Sequence, residues 1–297
     1  MSNSNYVLIT AARNEEAFIG ATIKSILVQT RLPKKWVIVS DGSTDHTDEI
    51  IEHHMKQASF IEFIRRESGS NQDIDFSSKV FAINAGYDLL KNETYDYIGH
   101  LDADITFEPN YYDLVIDKFE QNLLLGIAGG FIFEPSHGEF KSRLHNTTRS
   151  VAGGIQLFRR ECYNAIGGFI PLKRGGEDWY AEVVARLKGW EVASFPGLHA
   201  FHHKPGRLVR GEIKESFRQG AMDYYLGSHP LFELFKCIRR VDEKPYFIGS
   251  FIRMCGFVWP YLSKPQRSVP AEFVEHLRNE QLTLLKSFIV SKFSWNA

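Results

Sequence analysis

Asp102 and Asp104 stand one residue apart in YIGHLDAD (97–104), where an apolar run that reads as a buried strand comes to its end. Two ionised carboxylates this close need compensation, and a hard dication held by oxygen ligands, Mg2+ or Mn2+, is the natural partner. If the extended geometry persists, alternation aims both side chains the same way. Taken alone, Asp-x-Asp recurs on protein surfaces by chance and is a weak motif. A second acidic pair, Glu177-Asp178, follows the glycines Gly175-Gly176 where a helical pattern begins. A carboxylate aimed from a helix start can take the proton of an attacking hydroxyl. The same pair also suits the positive end of the helix dipole without any catalysis.

These residues need elements to position them. YVLIT (6–10), WVIVSD (36–41), FIEFI (60–64) and YIGHLD (97–102) read as buried strands, separated by helix-period runs around 18–27, 43–57 and 77–90. Short Val, Ile and Phe runs between helices predict a mostly parallel sheet with helices on both faces. Ligands in such folds lie outside the carboxyl ends of the strands. Asp41, Asp102 and AARNEE (11–16) therefore converge on one edge, although DGSTD alone would serve as a turn and helix cap, with Ser43 or Thr44 as the N-cap residue. Strands are also expected at 126–134, 153–162 and 191–195, a helix at 174–190 with Val183, Val184 and Leu187 facing inward, and helices from 211 onward.

The chain has 297 residues, 43% hydrophobic and 24% charged, enough for one large core or two smaller ones. Residues 1–203 carry 20 Lys+Arg against 27 Asp+Glu, whereas 204–297 carry 15 against 9. An acidic body followed by a basic tail suggests either two jobs or simply solvated charge, and the acidic two-thirds disfavours a nucleic-acid role. The three cysteines form neither a metal-ligand spacing nor a disulfide framework. With no basic-then-apolar leader at the N-terminus, a cytoplasmic setting is expected.

The ordered set TAARNEE, VSDGSTDHT, SSKVFAINAG, LDAD, GGEDWYAEVVARLKGW and FHH resembles the family 2 glycosyltransferases of the GT-A fold over roughly residues 6–205. That resemblance implies a Rossmann-like α/β domain over 1–210, with a nucleotide-sugar half (1–104) and an acceptor half (105–210), followed by a helical extension over 211–297. It also implies a nucleotide-sugar donor, with UDP preferred, a divalent metal (Mn2+ or Mg2+), a carbohydrate or lipid-linked acceptor hydroxyl and inversion of the anomeric centre. By resemblance, the backbone at Ala11 and the side chains of Arg13 and Glu15 lie against base and ribose, and Asp41 accepts from the base. Lys79 approaches base or diphosphate, or is simply a solvated helical lysine. Asp102, Ala103 and Asp104 hold ribose and metal, with Asp104 the direct ligand. His202 completes the metal shell, with His203 in competition, and His199 is structural. Asp178 is the general base and Glu177 orients the acceptor or the loop. Gly175-Gly176 would hinge that loop over the donor.

Two rivals stand beside this reading. A sugar-nucleotide pyrophosphorylase would carry a glycine-rich basic loop where TAARNEEAFIG stands, and a non-catalytic sugar-binding protein would not need Asp104 and Asp178. The Gln-x-x-Arg-Trp motif of processive family members has no counterpart in SFRQGAMDYYLG (216–227), so one addition per encounter is expected. PYFIGSFIRMCGFVWPYL (245–262) is too short and broken to span a bilayer. It reads either as a packing helix or as one lying on a membrane surface, with Phe247, Phe251, Val258 and Leu262 on one face and Lys236, Arg239, Arg240, Lys244 and Arg253 assisting. The second alternative makes the protein peripheral on the cytoplasmic membrane face.

Overall fold

The structure, a computed structural model, describes residues 4–67, 77–204, 212–243, 245–263, 267 and 269–293. The chain divides into two compact units, Met1–Pro205 and Gly206–Ala297. The boundary expected at 210/211 lies outside the described residues, as does Lys244.

In the first unit, β1 (Tyr6–Ala12), β2 (Lys35–Asp41), β3 (Ile61–Arg66) and β4 (Tyr97–His100) run parallel in the order β3-β2-β1-β4. The connections contain α1 (Ile19–Leu27), α2 (Thr47–Met55) and α3 (Ser77–Asp88). Tyr6 to Ile9 and Trp36 to Val39 are wholly buried, as strands covered on both faces must be. The buried Trp36 indole satisfies its N–H on Thr10 Oγ1 at 3.0 Å. α1 buries Ile19, Thr22, Ile23 and Ile26, the stripe its sequence period dictates.

The sheet continues through β5 (Ile105–Phe107), β6 (Leu125–Ser136), β7 (Glu139–Ser142), β8 (Leu157–Arg159) and β9 (Glu191–His202), giving the order β3-β2-β1-β4-β8-β6-β9-β5 with β7 on β6. β8 is antiparallel to β4 and β6, and β9 is parallel to β6 but antiparallel to β5. Helices α4 (Tyr111–Gln121), α5 (Arg160–Ile166) and α6 (Glu177–Leu187) complete the unit.

Several sequence expectations change here. The strand expected over 153–162 is a 3-10 turn at Gly153–Ile155, then three residues of β8, then α5. Cys162, Tyr163 and Ile166 form the buried face of α5, and Gly167, at φ 77°, ends it in the left-handed region. The fourth strand stops at His100, so Asp102 and Asp104 occupy the link to β5 rather than a continuing strand. α2 begins at Thr47, later than a Ser43 or Thr44 cap would place it. Asp45 accepts from the Thr47 amide and hydroxyl, while Ser43 and Thr44 bond to the loop after β1. The last strand runs to His202, well past 195.

The second unit holds α7 (Glu212–Tyr225), α8 (Pro230–Arg239), α9 (Ile248–Ser263) and α10 (Ala271–Phe293). α7 and α9 approach closely at glycines, since a Cβ on Gly220 would strike the Arg253 carbonyl and one on Gly256 the Phe217 carbonyl. Between α7, α8 and α9 lies a buried ionic network. Arg253 donates to Glu233 at 2.7 Å, to Gln219 at 2.6 Å and to Asp223, while Lys236 lies 3.1 Å from both acids.

Candidate active site

The carboxyl ends of β1, β2 and β4 open on one edge, and two loops there are tied together. Asn14 takes a left-handed conformation, φ 54°, which asparagine tolerates better than most residues. Its side chain accepts from the Thr44 amide at 2.8 Å, and its own amide donates to Ser43 Oγ at 3.2 Å. The Glu15 amide donates to Thr47 Oγ1 at 2.8 Å. Ala11 is half-buried at the end of β1 and Arg13 is exposed just beyond it.

Glu15 turns inward. Lys204 Nζ lies 2.7 Å from Oε1, while Oε2 is buried with no protein partner. Burial raises its pKa, Lys204 opposes this, and the charges of Asp104 and Asp102 raise it further. An orphaned acceptor of this kind suits a ligand donor such as a hydroxyl. Asp41, at the end of β2, is buried and already engaged, accepting from Arg66 at 2.9 Å and from the Ser78 hydroxyl.

Asp102 and Asp104 have different partners. Lys79, on α3, places Nζ 2.5 Å from Asp102 Oδ1. Burial works to raise the Asp102 pKa, but Lys79 overrides it and holds the carboxyl below its usual range. Lys79 is shifted upward in turn: burial opposes its charge, and Asp102, Glu177 and Asp178 outweigh burial. Between the two aspartates, Ala103 is buried, and its carbonyl accepts from Thr22 Oγ1 at 2.8 Å, which anchors the link to α1.

Asp104 is buried beside His202, whose Nε2 lies 3.2 Å from Oδ2. The other ring nitrogen, Nδ1, lies 3.5 Å from Glu134. Bonds to Asp104 and Glu134 raise the His202 pKa to about 9 against the opposing effect of burial. His203 turns away to Thr106 Oγ1 at 2.7 Å, and His199 faces Glu108 at 3.6 Å and the Phe133 ring. Glu134 was not evident from sequence spacing. It follows Phe133, which pairs with Phe201 in the β6–β9 register, so strand pairing alone brings Glu134 to His202.

Glu177 and Asp178 open α6 after Gly175 and Gly176, whose φ angles of 80° and 90° favour glycine over residues with a side chain. Glu177 Oε2 is buried without a protein partner, and burial followed by the neighbouring Asp178 charge raises its pKa. Asp178 Oδ1 accepts from the Trp179 amide at 2.8 Å. The 3-10 turn forms a floor shared by the two acidic groups. A Cβ on Gly153 would overlap the Asp178 carboxyl, and one on Gly154 would come within 2.6 Å of Asp102 Oδ2. The floor is held from behind by Glu182, which accepts from the Val151 amide at 2.7 Å and Gln156 Nε2 at 3.1 Å.

Among the described residues no three His, Cys, Asp or Glu side chains already form a cation shell. The chemistry of the donors nevertheless fits a dication. Asp104 offers oxygen, His202 offers nitrogen and Asp102 stands two residues before Asp104 on the same link. Glu134 on Nδ1 is the outer partner that commonly orients a metal-binding imidazole.

Comparison with known proteins gives a consistent placement. The family model described as glycosyl transferase family 2 matches residues 7–176. Poly-beta-1,6-N-acetyl-D-glucosamine synthase of Staphylococcus epidermidis is 30% identical over 122 residues, 41% of this chain and 27% of that protein. Chondroitin synthase of Escherichia coli is 27% identical over 168 residues, 53% of this chain and 23% of its own length. The matched stretches thus span about a quarter of these curated relatives. Among solved structures, the mannosyltransferase PcManGT from Pyrobaculum calidifontis, in complex with GDP-Man and Mn2+, has a TM-score of 0.56 at 15% identity, covering 99% of this chain and 81% of that one. TarS of S. aureus in complex with UDP-GlcNAc has a TM-score of 0.52 at 12% identity, covering 92% and 78%. At these identities the solved structures support the fold, a GT-A arrangement with C-terminal helices.

Proposed function

Because the chain belongs to glycosyl transferase family 2 and is a glycosyltransferase, we propose that it moves a sugar from a nucleoside diphosphate, UDP in our reading, to an acceptor hydroxyl with inversion. The observation that carries this is the shared floor: Gly153 and Gly154 hold Asp178 and Asp102 on adjacent residues of one turn. Asp102, Asp104 and His202 form the phosphate side, Ala11, Arg13, Glu15, Asp41 and Ala103 line the nucleoside side, and Asp178 faces the acceptor.

In this reading the acceptor oxygen forms a bond to the anomeric carbon as the bond from that carbon to the phosphate oxygen breaks. The hydroxyl proton passes to the Asp178 carboxylate. Lys79 stays charged beside Asp102 and is placed to meet the diphosphate, and Glu177 orients the acceptor. Asp41 meets a base only by sharing or releasing a present partner such as Arg66 or Ser78. Asp104 and His202, with Asp102 beside them, would hold a divalent metal. When bound, that metal neutralises charge on the departing nucleoside diphosphate. The acceptor is a carbohydrate of a surface polysaccharide or glycoconjugate, presented in lipid-linked form. One sugar is added per encounter, at a cytoplasmic membrane face.

The test is a panel of nucleotide-sugars with Mn2+, read first as thermal stabilisation and then as nucleoside diphosphate release. Release should need the metal and fall at least 100-fold in Asp178→Asn with donor stabilisation retained. Asp104→Ala should lose the stabilisation itself. Metal-independent release, or Asp178→Asn turning over like the parent, would refute the assignment.

A further inference from the structure

α9 is amphipathic in an inverted sense. Its single charged residue, Arg253, is 6% exposed and engaged with Glu233, Asp223 and Gln219. Ser250, Gly256, Phe257 and Pro260 are also buried. The opposite face carries Phe251 at 68%, Trp259 at 62% and Leu262 at 76% exposure, with Val258 and Ile248 also exposed. The residues Arg253, Gly256, Phe257 and Pro260 repeat at the helical period, and the exposed residues repeat half a turn away. Water is a poor environment for an aromatic stripe of this kind, which marks an interaction surface.

The segment leading into α9 adds an independent sign. Phe247 takes φ 58°, a conformation that strains a bulky side chain, yet its ring is 69% exposed. No internal packing of that ring accounts for the strained backbone. Such outliers persist where the presented side chain is used.

The charges identify the occupant. α8 and α9 contain one acidic residue between them, Glu233, and it is wholly buried. α8 presents a second apolar stripe, Leu231, Leu234 and Ile238, with Arg239 exposed beside it. Both helices therefore show apolar surface to solvent with no exposed carboxylate, the exposed positive charge comes from Arg239 of α8, and residues 204–297 carry a net +6. This combination complements an anionic lipid surface. Tyr246, Trp259 and Tyr261, all exposed, have the apolar body and polar tip favoured at the headgroup level. Among the described residues no helix is long and apolar enough to cross a membrane, and α9 at 16 residues is about 24 Å long.

We propose that the second unit docks on an anionic bilayer through the outward face of α9, headed by Phe247. The basic residues expected to assist change accordingly. Lys236 and Arg253 are committed to the internal network, and Arg240 is half-buried near Glu243, which leaves the apolar face as the main contact. The inference deepens the lipid-linked acceptor reading and rests on it for its purpose, but vesicle binding is measured without any turnover.

The experiment is co-sedimentation of the 297-residue chain with phosphatidylcholine vesicles, with and without phosphatidylglycerol. Binding is expected to be at least 10-fold stronger with the anionic lipid and to weaken with salt. Phe251→Glu with Leu262→Glu should abolish it while donor hydrolysis in solution is unchanged. Phe247→Asn should weaken binding with thermal stability kept or raised, because asparagine tolerates the left-handed backbone, and a merely structural Phe247 would not separate the two. No binding to anionic vesicles at low salt overturns the proposal. So does concentration-dependent self-association that the double substitution removes, which would make the face an interface between copies. Vesicle binding by a chain inert towards every nucleotide-sugar would leave docking intact and sink the transferase chemistry instead.

Discussion

Gly153 and Gly154 separate the two halves of the proposed chemistry at the scale of single atoms. Each lacks a side chain where one would collide with a carboxylate, Asp178 for the first and Asp102 for the second. Gly153→Ala should therefore displace the proton acceptor and lower kcat at least 10-fold with KM for the donor little changed. Gly154→Ala should displace Asp102 and raise donor KM instead. Steady-state kinetics on the two variants checks this, and an identical effect from both would mean that the turn has collapsed as a whole. The acidic motifs were legible in the sequence because their residue types announce their chemistry. Glu134 and Lys204 were not, and the glycines of 153–154 announced a close approach without showing that it is to Asp178 and Asp102, since each acquires its place from strand register or loop packing. Only strand pairing sets Glu134 beside His202.

At the scale of elements, the alternating strands and helices of 6–100 were readable because buried parallel strands are near-continuous apolar runs. The mixed half was harder. β8 spans three residues and α5 seven, too short for periodicity to separate strand from helix. α6 held a different surprise, because Glu182 lies on its buried face among Val183 and Val184. Burial raises its pKa to about 7, against bonds from the Val151 amide and the Arg186 charge. The folded value lies above the unfolded one, so the protonated acid is the form the fold favours. Its contribution is complete below about pH 4.5 and is lost as pH rises through about 7. The loss amounts to about 3 kcal/mol, from roughly 1.4 kcal/mol per pH unit. Glu182→Gln keeps the acceptor oxygen and removes the titration. Urea unfolding should show the variant at least as stable as the parent at pH 8 and close to it at pH 5. A parent whose stability is flat across that interval would contradict the assignment. Because Glu182 braces the floor through Gln156 and Val151, this titration also bears on the geometry between Asp102 and Asp178.

At the scale of the molecule, all the residues proposed to bind donor or metal, from Ala11 to His202, belong to the first unit, while the exposed apolar helix belongs to the second. The charge balance divides in the same way, with net −7 over 1–203 and +6 over 204–297. Chemistry and docking are thus carried by different parts of the chain, and the two should be separable. Residues 1–205 alone are expected to fold and to gain stability from nucleotide-sugar with Mn2+. At about 100-fold excess over Kd, a ligand bound only to the folded state contributes about 2.7 kcal/mol. Thermal unfolding should show the same increment for 1–205 and for the 297-residue chain. Transfer to an acceptor embedded in anionic vesicles should be confined to the longer form, and transfer to a water-soluble acceptor should occur with both. A folded 1–205 that gains nothing from any donor would assign part of the nucleotide site to the second unit. That result would fuse the two jobs that the charge distribution keeps apart.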